Sequence, residues 1–311
     1  SVAIWRGLTG IGSGAANIAV MGLWSAWFSS RRRGLASGIA VSGSSIALIL
    51  TGIFVPQIIA AFGGSAWRIC WLIFGGLTLL LASGSWLILR NRASDVGLKL
   101  IGEEGSNQPS MTGSKKRPQW KQVYLSFHVW HLGLVYTAFG FSYIIYMTFF
   151  VKFLVSDWGY TAKAAGGLFM LMGWFSLLCG LVWGSVSDVL GRRKTLIIMY
   201  LIHTAAFSLF AFGGSPYVFL LSAALFGLSA WSIPAIMAAA CGDMLGPRLA
   251  PAALGFVTLF FGIGQAAGPV IAGAIADAKG SFPPAFLLAA AAAFLGAVGA
   301  ATLRSNNGTS K

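Results

Sequence analysis

The chain has 311 residues, of which 57% are hydrophobic and 9% are charged. A soluble domain carries about 25% charged residues, so composition excludes that class and leaves a polytopic membrane protein. The formal net charge of +14 does not point to nucleic acid, because the cations fall in short clusters between apolar runs, as juxtamembrane anchors do, and not along one amphipathic face.

Cys70, Cys179 and Cys241 lie inside apolar runs without C-x-x-C spacing, so neither a disulfide framework nor a metal site is expected, and no cofactor is called for. The segment after Ser1 does not read as a signal peptide; the abrupt start without Met predicts a piece of a longer protein. A membrane span needs about 20 apolar residues. Nine candidates run approximately over 2–28, 34–61, 67–89, 126–154, 163–186, 195–213, 217–242, 251–276 and 284–303. No strand alternation of the barrel kind appears, so the spans are predicted to be helices. The polar stretch from Asn91 to Lys121, with Gly, Ser, Asn and Pro, reads as a flexible linker between two bundles.

In the first span, Arg6 is followed by Gly10, Gly12 and Gly14, giving R-x-x-x-G-x-G-x-G. Glycines at this spacing let a neighbouring helix approach closely. An arginine within a span costs at least about 2.5–3.5 kcal/mol unless it is paired or wet. Arg6 therefore either snorkels to the outer interface or faces a water-filled cavity, where it attracts an anion. A helical stripe through Arg6, Gly10, Ser13, Asn17, Met21 and Trp24 puts Asn17 on the face of Arg6, as a polar cavity wall would require.

The fourth span carries Tyr136, Gly140, Tyr143 and Met147 at i, i+4, i+7 and i+11, flanked by Tyr146. Such a stripe is either packing or a cavity wall whose hydroxyls find partners in water. His128 and His131, one turn apart at its inner end, are read as interfacial. The fifth span ends in Gly184-Ser185-Val186-Ser187-Asp188-Val189-Leu190-Gly191-Arg192-Arg193-Lys194. There Gly191 permits a tight reversal, and three cations hold it on the cytoplasmic face. On charge alone, the turn is equally compatible with a plain topology signal. With it inside, clusters such as Arg31–Arg33, Lys115–Arg117 and Arg192–Lys194 all fall inside, and the outer ends hold Arg68, Lys152, Lys163 and Lys279. Linker and C-terminus are then cytoplasmic. Arg192 or Arg193 is expected to pair with Asp243, and Asp188 to face the start of the second span near Gly34–Ser37.

The seventh span brings Ser229, Trp231, Ser232 and Pro234 together; the proline bends the helix and frees a carbonyl beside the serines. The eighth carries a buried amide, Gln265, within Gly264-Gln265-Ala266-Ala267-Gly268-Pro269. None of the seven carboxylates (Asp95, Glu103, Glu104, Asp157, Asp188, Asp243 and Asp277) falls at mid-depth of a span, so no proton relay of buried acids is visible.

The run G-x-x-x-D-x-x-G-R-R-K resembles the signature loop of the major facilitator superfamily, secondary transporters of twelve helices in two six-helix halves. The first-span motif resembles the one on the fourth helix of proton-coupled members. Gly-x-x-x-Gly-Pro at Gly264–Pro269 resembles the antiporter motif, which usually belongs to the fifth helix; the equivalent Thr51-Gly52 lacks its proline, so antiport does not follow. Asn91–Leu98 resembles the linker start of carboxylate-carrying members. A single gapless shift lays Gly10 on Gly227, Arg31 on Arg248, Ala36 on Ala253 and Gly38 on Gly255, as a parallel repeat of two related halves would.

The resemblance implies an all-α fold with nine of twelve helices present. Helices 4–6 would lie in residues 1–90, a cytoplasmic linker in 91–124, helices 7–12 in 125–304 and a cytoplasmic tail in 305–311. It makes the fourth and seventh spans cavity-lining helices and places His203 on a peripheral one. Gly184, Asp188, Gly191, Arg192, Arg193 and Asp243 would latch the two halves on the inner side. The implied activity is alternating-access transport of a small solute, proton-linked or facilitative, by a monomer in the cell membrane. One internal arginine, several tyrosines and no mid-depth acid favour an organic anion such as a monocarboxylate. Efflux of neutral or drug-like compounds, and a non-transporting receptor or scaffold on the same fold, remain the alternatives; no cluster of catalytic residues suggests an enzyme.

Overall fold

The computed structural model describes residues 2–28, 33–91, 93–98, 101 and 120–303. The helices are α1 (Val2–Trp27), α2 (Arg33–Phe62), α3 (Ala66–Ile88), α4 (Lys121–Tyr124), α5 (Phe127–Ser156), α6 (Ala162–Ser176), α7 (Cys179–Leu190), α8 (Arg192–Phe212), α9 (Pro216–Ser229), α10 (Ser232–Lys279) and α11 (Pro283–Ala301). Among the described residues, six stretches are long and apolar enough to cross a bilayer. The predicted fifth span is two helices, α6 and α7, broken at Leu177–Leu178. The predicted seventh span is α9 plus the start of α10, broken at Ala230–Trp231, and the rest of α10 holds the eighth. The predicted second and third spans join through a single turn, Gly63–Ser65.

The chain forms two compact units. One comprises Ser1–Ala40 with Trp67–Arg117; the other comprises Val41–Ala66 with Pro118–Lys311. The boundary therefore departs from a simple division at residue 90, and the reason is steric. Within the second unit, α2 lays Ser45, Ile49, Gly52 and Pro56 against α6. A Cβ on Gly52 would stand 2.6 Å from the Gly166 carbonyl oxygen, and one on Gly173 would stand 2.9 Å from that of Ser45. Ser176 donates to Ser45 across this seam at 2.8 Å. Contacts this close need small residues on both helices.

In the first unit, the Trp27 indole donates to the Arg90 carbonyl at 2.8 Å, and the Ile101 N–H donates to the Trp27 carbonyl at 2.9 Å. Ala93 is buried at the start of a 3₁₀ turn, Ala93–Val96. The predicted linker thus begins as a strap fastened to the ends of α1 and α3. α3 exposes Leu72, Leu79, Trp86 and Ile88. In water such a face would aggregate; in a bilayer it meets acyl chains.

The second unit is a bundle with an aromatic centre. Lipid is as apolar as leucine, so close packing and interhelical hydrogen bonds hold such a bundle together, not apolar burial. α11 buries Ala289, Ala293, Gly296 and Ala300 at i, i+4, i+7 and i+11, and the Tyr200 ring of α8 lies directly over Gly296. The Tyr200 hydroxyl donates to the Val135 carbonyl of α5 at 2.5 Å. Tyr146 is fully buried among Phe150, Phe207, Phe210 and Phe226. The Ser222 hydroxyl spends its proton on the Ala206 carbonyl at 2.8 Å, so Tyr146 is the donor in its 2.7 Å bond to Ser222. Replacing Ser222 by Ala strands that hydroxyl in a dry core, at a cost of about 1–3 kcal/mol. The expected result is a fall in melting temperature of several degrees, largely recovered by adding Tyr146→Phe. A drop that Tyr146→Phe leaves unchanged would mean that the bond is not what the serine contributes.

Candidate functional site

The predicted signature turn closes as its sequence requires. α7 ends at Leu190, Gly191 takes φ +87°, a conformation that side chains rarely adopt, and α8 starts at Arg192. The reversal brings the Arg192 guanidinium back over the last turn of α7. Nη1 meets Asp188 at 2.5 Å and the Ser187 hydroxyl at 2.5 Å, while Nε donates to Asp243 on α10 at 2.9 Å. One cation thus ties α7, α8 and α10 together. The structure selects Arg192 over Arg193, which is exposed. The side chains of Gly34–Ser37, expected to face Asp188, lie outside the described residues. Sequence reasoning missed Ser187, which is buried and passes its own proton to the Gly184 carbonyl at 2.8 Å; its place one residue before Asp188 was the available signal. The Asp188 and Asp243 side chains are 63% and 54% exposed. Ion pairs this wet contribute little to stability and are easily broken and remade.

A second polar cluster lies where α5 meets α10. Gly140, Gly264 and Gly268 bring the backbones together: a Cβ on Gly268 would stand 2.7 Å from the Phe141 carbonyl oxygen, and Cβ atoms on Gly140 and Gly264 would fall on the Phe261 and Thr137 carbonyls. Pro269 follows, half-buried. Along this contact the Gln265 amide donates to the Tyr143 hydroxyl. Tyr143 is stacked on Phe139 at 4.8 Å, and Tyr136 on Phe261 at 4.8 Å. Of the predicted tyrosines, Tyr143 is joined to a polar partner on α10, and Tyr146 to Ser222 on α9. Tyr136 is buried in the stack, and Tyr146 is buried among phenylalanines in the bundle centre.

The third cluster is the break between α9 and α10. The Ser229 hydroxyl donates to the Leu225 carbonyl at 2.8 Å, and the Ser232 hydroxyl to the Ser229 carbonyl at 2.5 Å. The Trp231 N–H meets the Cys179 sulfur at 3.4 Å, and Trp183 of α7 donates its indole N–H to the Leu228 carbonyl at 2.7 Å. Pro234, lacking an N–H, cannot bond the Ala230 carbonyl, and at the break the Leu228 and Ser229 carbonyls are taken by the Trp183 indole and the Ser232 hydroxyl. The break in α6–α7 therefore abuts the break in α9–α10, an adjacency that an apolar sequence does not advertise.

In the first unit, the side chains of Arg6 and Asn17 lie outside the described residues. Gly10, Gly12 and Gly14 are exposed on α1, and a Cβ on any of them meets nothing within 4 Å among the described residues. His131, near the N-terminus of α5, reaches α11, its Nε2 lying 3.2 Å from the Gly299 carbonyl and 3.1 Å from the Thr302 hydroxyl.

Residues 1–301 match the family described as "Uncharacterised MFS-type transporter YbfB". The chain is 36% identical over 152 residues to human Solute carrier family 67 member A1, covering 48% of this chain and 35% of that protein. It is 24% identical over 310 residues to the Hexuronate transporter of Bacillus subtilis (strain 168), covering 93% and 69%. Over 281 residues it is 26% identical to Monocarboxylate transporter 10 of Mus musculus, covering 86% and 52%. The chain thus spans from about a third to about two thirds of the length of these curated relatives. A family match along nearly its whole length, apolar helices and relatives that are transporters and not enzymes agree, and the chain belongs to the MFS-type transporter family of multi-pass membrane proteins.

Proposed function

We propose that the protein carries a small organic anion, a monocarboxylate or similar carboxylate, across the cell membrane by alternating access, with proton coupling. The observation that carries this reading is that two relatives aligned over most of the chain are named for carboxylate solutes, hexuronate and monocarboxylate. Arg6, the cation inside the first span, adds to it, since an intramembrane charge is by default a functional group. In this reading nine of twelve helices are present, in bundles at 1–90 and 125–304 joined by the 91–124 linker. Linker and tail face the cytoplasm, and the carrier works as a monomer. Tyr143 and Gln265, with the serines at the α9/α10 break, contribute to the substrate wall. Arg192, Asp188 and Asp243 latch the inner side, so that breaking them shifts the population toward the inward-open state.

Full-length protein in liposomes is expected to show counterflow of labelled monocarboxylates, with accumulation against a gradient that an uncoupler collapses. Uptake of neutral or drug-like compounds with no organic-anion counterflow would replace this reading with efflux. Counterflow without accumulation, or accumulation that the uncoupler leaves unchanged, would keep the substrate and remove the proton.

A further inference from the structure

The two helix breaks of the second unit share one geometry. Between α6 and α7, the Leu177 N–H bonds to the Trp174 carbonyl, three residues back, at 3.3 Å, and Leu178 follows at φ −107°, ψ 0°. Between α9 and α10, the Ala230 N–H bonds to the Gly227 carbonyl at 3.4 Å, and Trp231 follows at φ −102°, ψ 6°. A tightened turn of this kind inside a span is a common hinge. The breaks also lie side by side, joined by the Trp231 N–H on the Cys179 sulfur and the Trp183 indole on the Leu228 carbonyl.

Packing differs on the two sides of the breaks. Ahead of them, glycines are wedged against backbone. A Cβ on Gly173 would stand 2.9 Å from the Ser45 carbonyl oxygen, and one on Gly227 would stand 2.7 Å from that of Met172. These contacts fix α6 to α2 and to α9. Past the breaks, a Cβ on Gly184 of α7 meets nothing within 4 Å among the described residues, and one on Gly242 of α10 meets the Ala250 Cβ at 4.0 Å. Val182 and Val189 of α7 are exposed. Sparse packing of this kind belongs to the segments that move most easily. Each segment also has a soft joint at its far end: Gly191 at φ +87° after α7, and Gly246-Pro247 in α10, where the proline removes a helical bond.

One side chain holds the far ends together. Asp188 of α7 and Asp243 of α10 both accept from Arg192 of α8, at 2.5 Å and 2.9 Å. α8 is itself set against α11, where Tyr200 covers Gly296. The guanidinium therefore belongs to the fixed part and the two carboxylates to the movable one.

We propose that α7 and the Ser232–Asp243 segment of α10 form a single flap, which pivots at Leu178 and Trp231 and is clasped shut by Arg192. The Cys179–Trp231 contact keeps the two pivots in step, and carboxylates this exposed release the guanidinium at little cost. The use of the flap rests on the alternating-access reading: it opens one end of the path while α6 and α9 stay in place.

Distances within the second unit test the flap, measured by double electron–electron resonance in full-length protein with the native cysteines replaced by serine. α7 has 12 residues, about 18 Å of helix, so a swing of about 15° carries its tip by about 5 Å. With nitroxides at the exposed Val189 of α7 and Val298 of α11, Arg192→Gln should shift the distance by that amount. A pair at Met244 of α10 and Val298 should shift with it, and a pair at the exposed Trp174 of α6 and Val298 should not. Asp188→Asn together with Asp243→Asn opens the clasp from the other side and should give the same shifts, which covers a failure of Arg192→Gln to fold. Equal movement of Trp174 and Val189 would mean that α6 and α7 are one rod. Movement of Val189 without Met244 would separate the two breaks, and no movement would leave a rigid bundle; each result overturns the proposal. No substrate enters these measurements, so their failure is distinct from a failure of the transport assignment.

Discussion

Leucine at Gly264 is expected to abolish recovery of folded, monodisperse protein, whereas leucine at Gly262, two positions away on the same helix, is expected to leave it intact. A Cβ on Gly264 falls on the Thr137 carbonyl and 2.8 Å from the Phe141 nitrogen, while one on Gly262 meets nothing within 4 Å among the described residues. Overpacking a close contact costs about 1–3 kcal/mol when side chains can give way. Here the obstacle is backbone, so α5 and α10 must separate and the neighbouring contacts at Gly140 and Gly268 go with it. In a membrane no apolar burial compensates, since separated helices simply meet lipid. Size-exclusion profiles and melting curves of the two variants check this directly; equal behaviour would show that the α5–α10 contact is not set by its glycines.

Arg192→Gln should do the opposite, sparing the fold and impairing the cycle. Its two carboxylate partners are more than half exposed, so each pair contributes about 0.5–1 kcal/mol after solvent screening. That is too little to unfold the protein. Yet if both pairs exist in one conformational state and not in the other, together they bias the equilibrium by about 1–2 kcal/mol, a five- to thirty-fold shift in population. Transport is expected to fall about tenfold with a melting temperature within about 2 °C of wild type, and Arg193→Gln to have little effect on either. Equal loss of transport and of folded protein would give Arg192 a structural role only.

What was legible beforehand were features fixed by covalent rules or by isolated charge. Gly191 had to turn the chain, since it stands between an apolar span and three cations. Asp243 is the carboxylate near the C-terminal end of its predicted span, so a partner among the arginines of the Gly191–Lys194 turn followed. Gly264 and Gly268, a helical turn apart, do face a close neighbour, whereas Gly10, Gly12 and Gly14 meet none among the described residues, so glycine spacing alone did not separate the two cases; Pro234 had to disturb its helix. The Leu177–Leu178 break carried no such mark. The surrounding residues are mostly apolar, and hydropathy registers length but not continuity. The tyrosines of α5 show a related failure. A helix packed on several sides buries more than one stripe, so spacing alone cannot separate Tyr143, bonded to Gln265, from Tyr146, enclosed by phenylalanines. The strap at Ala93–Ile101 was hidden because backbone bonds to Trp27 leave no compositional trace.

Placing Tyr143 and Gln265 on the wall of a solvent-filled translocation path is the central claim, and cysteine accessibility at Gln265 tests it most directly. In full-length protein with the native cysteines replaced by serine, Gln265→Cys should react with a membrane-impermeant thiol reagent added to proteoliposomes, and a transported carboxylate should slow that reaction. A Gln265→Cys thiol that reacts only with lipid-soluble reagents, at a rate no solute alters, would place this face of α10 against acyl chains and contradict the account.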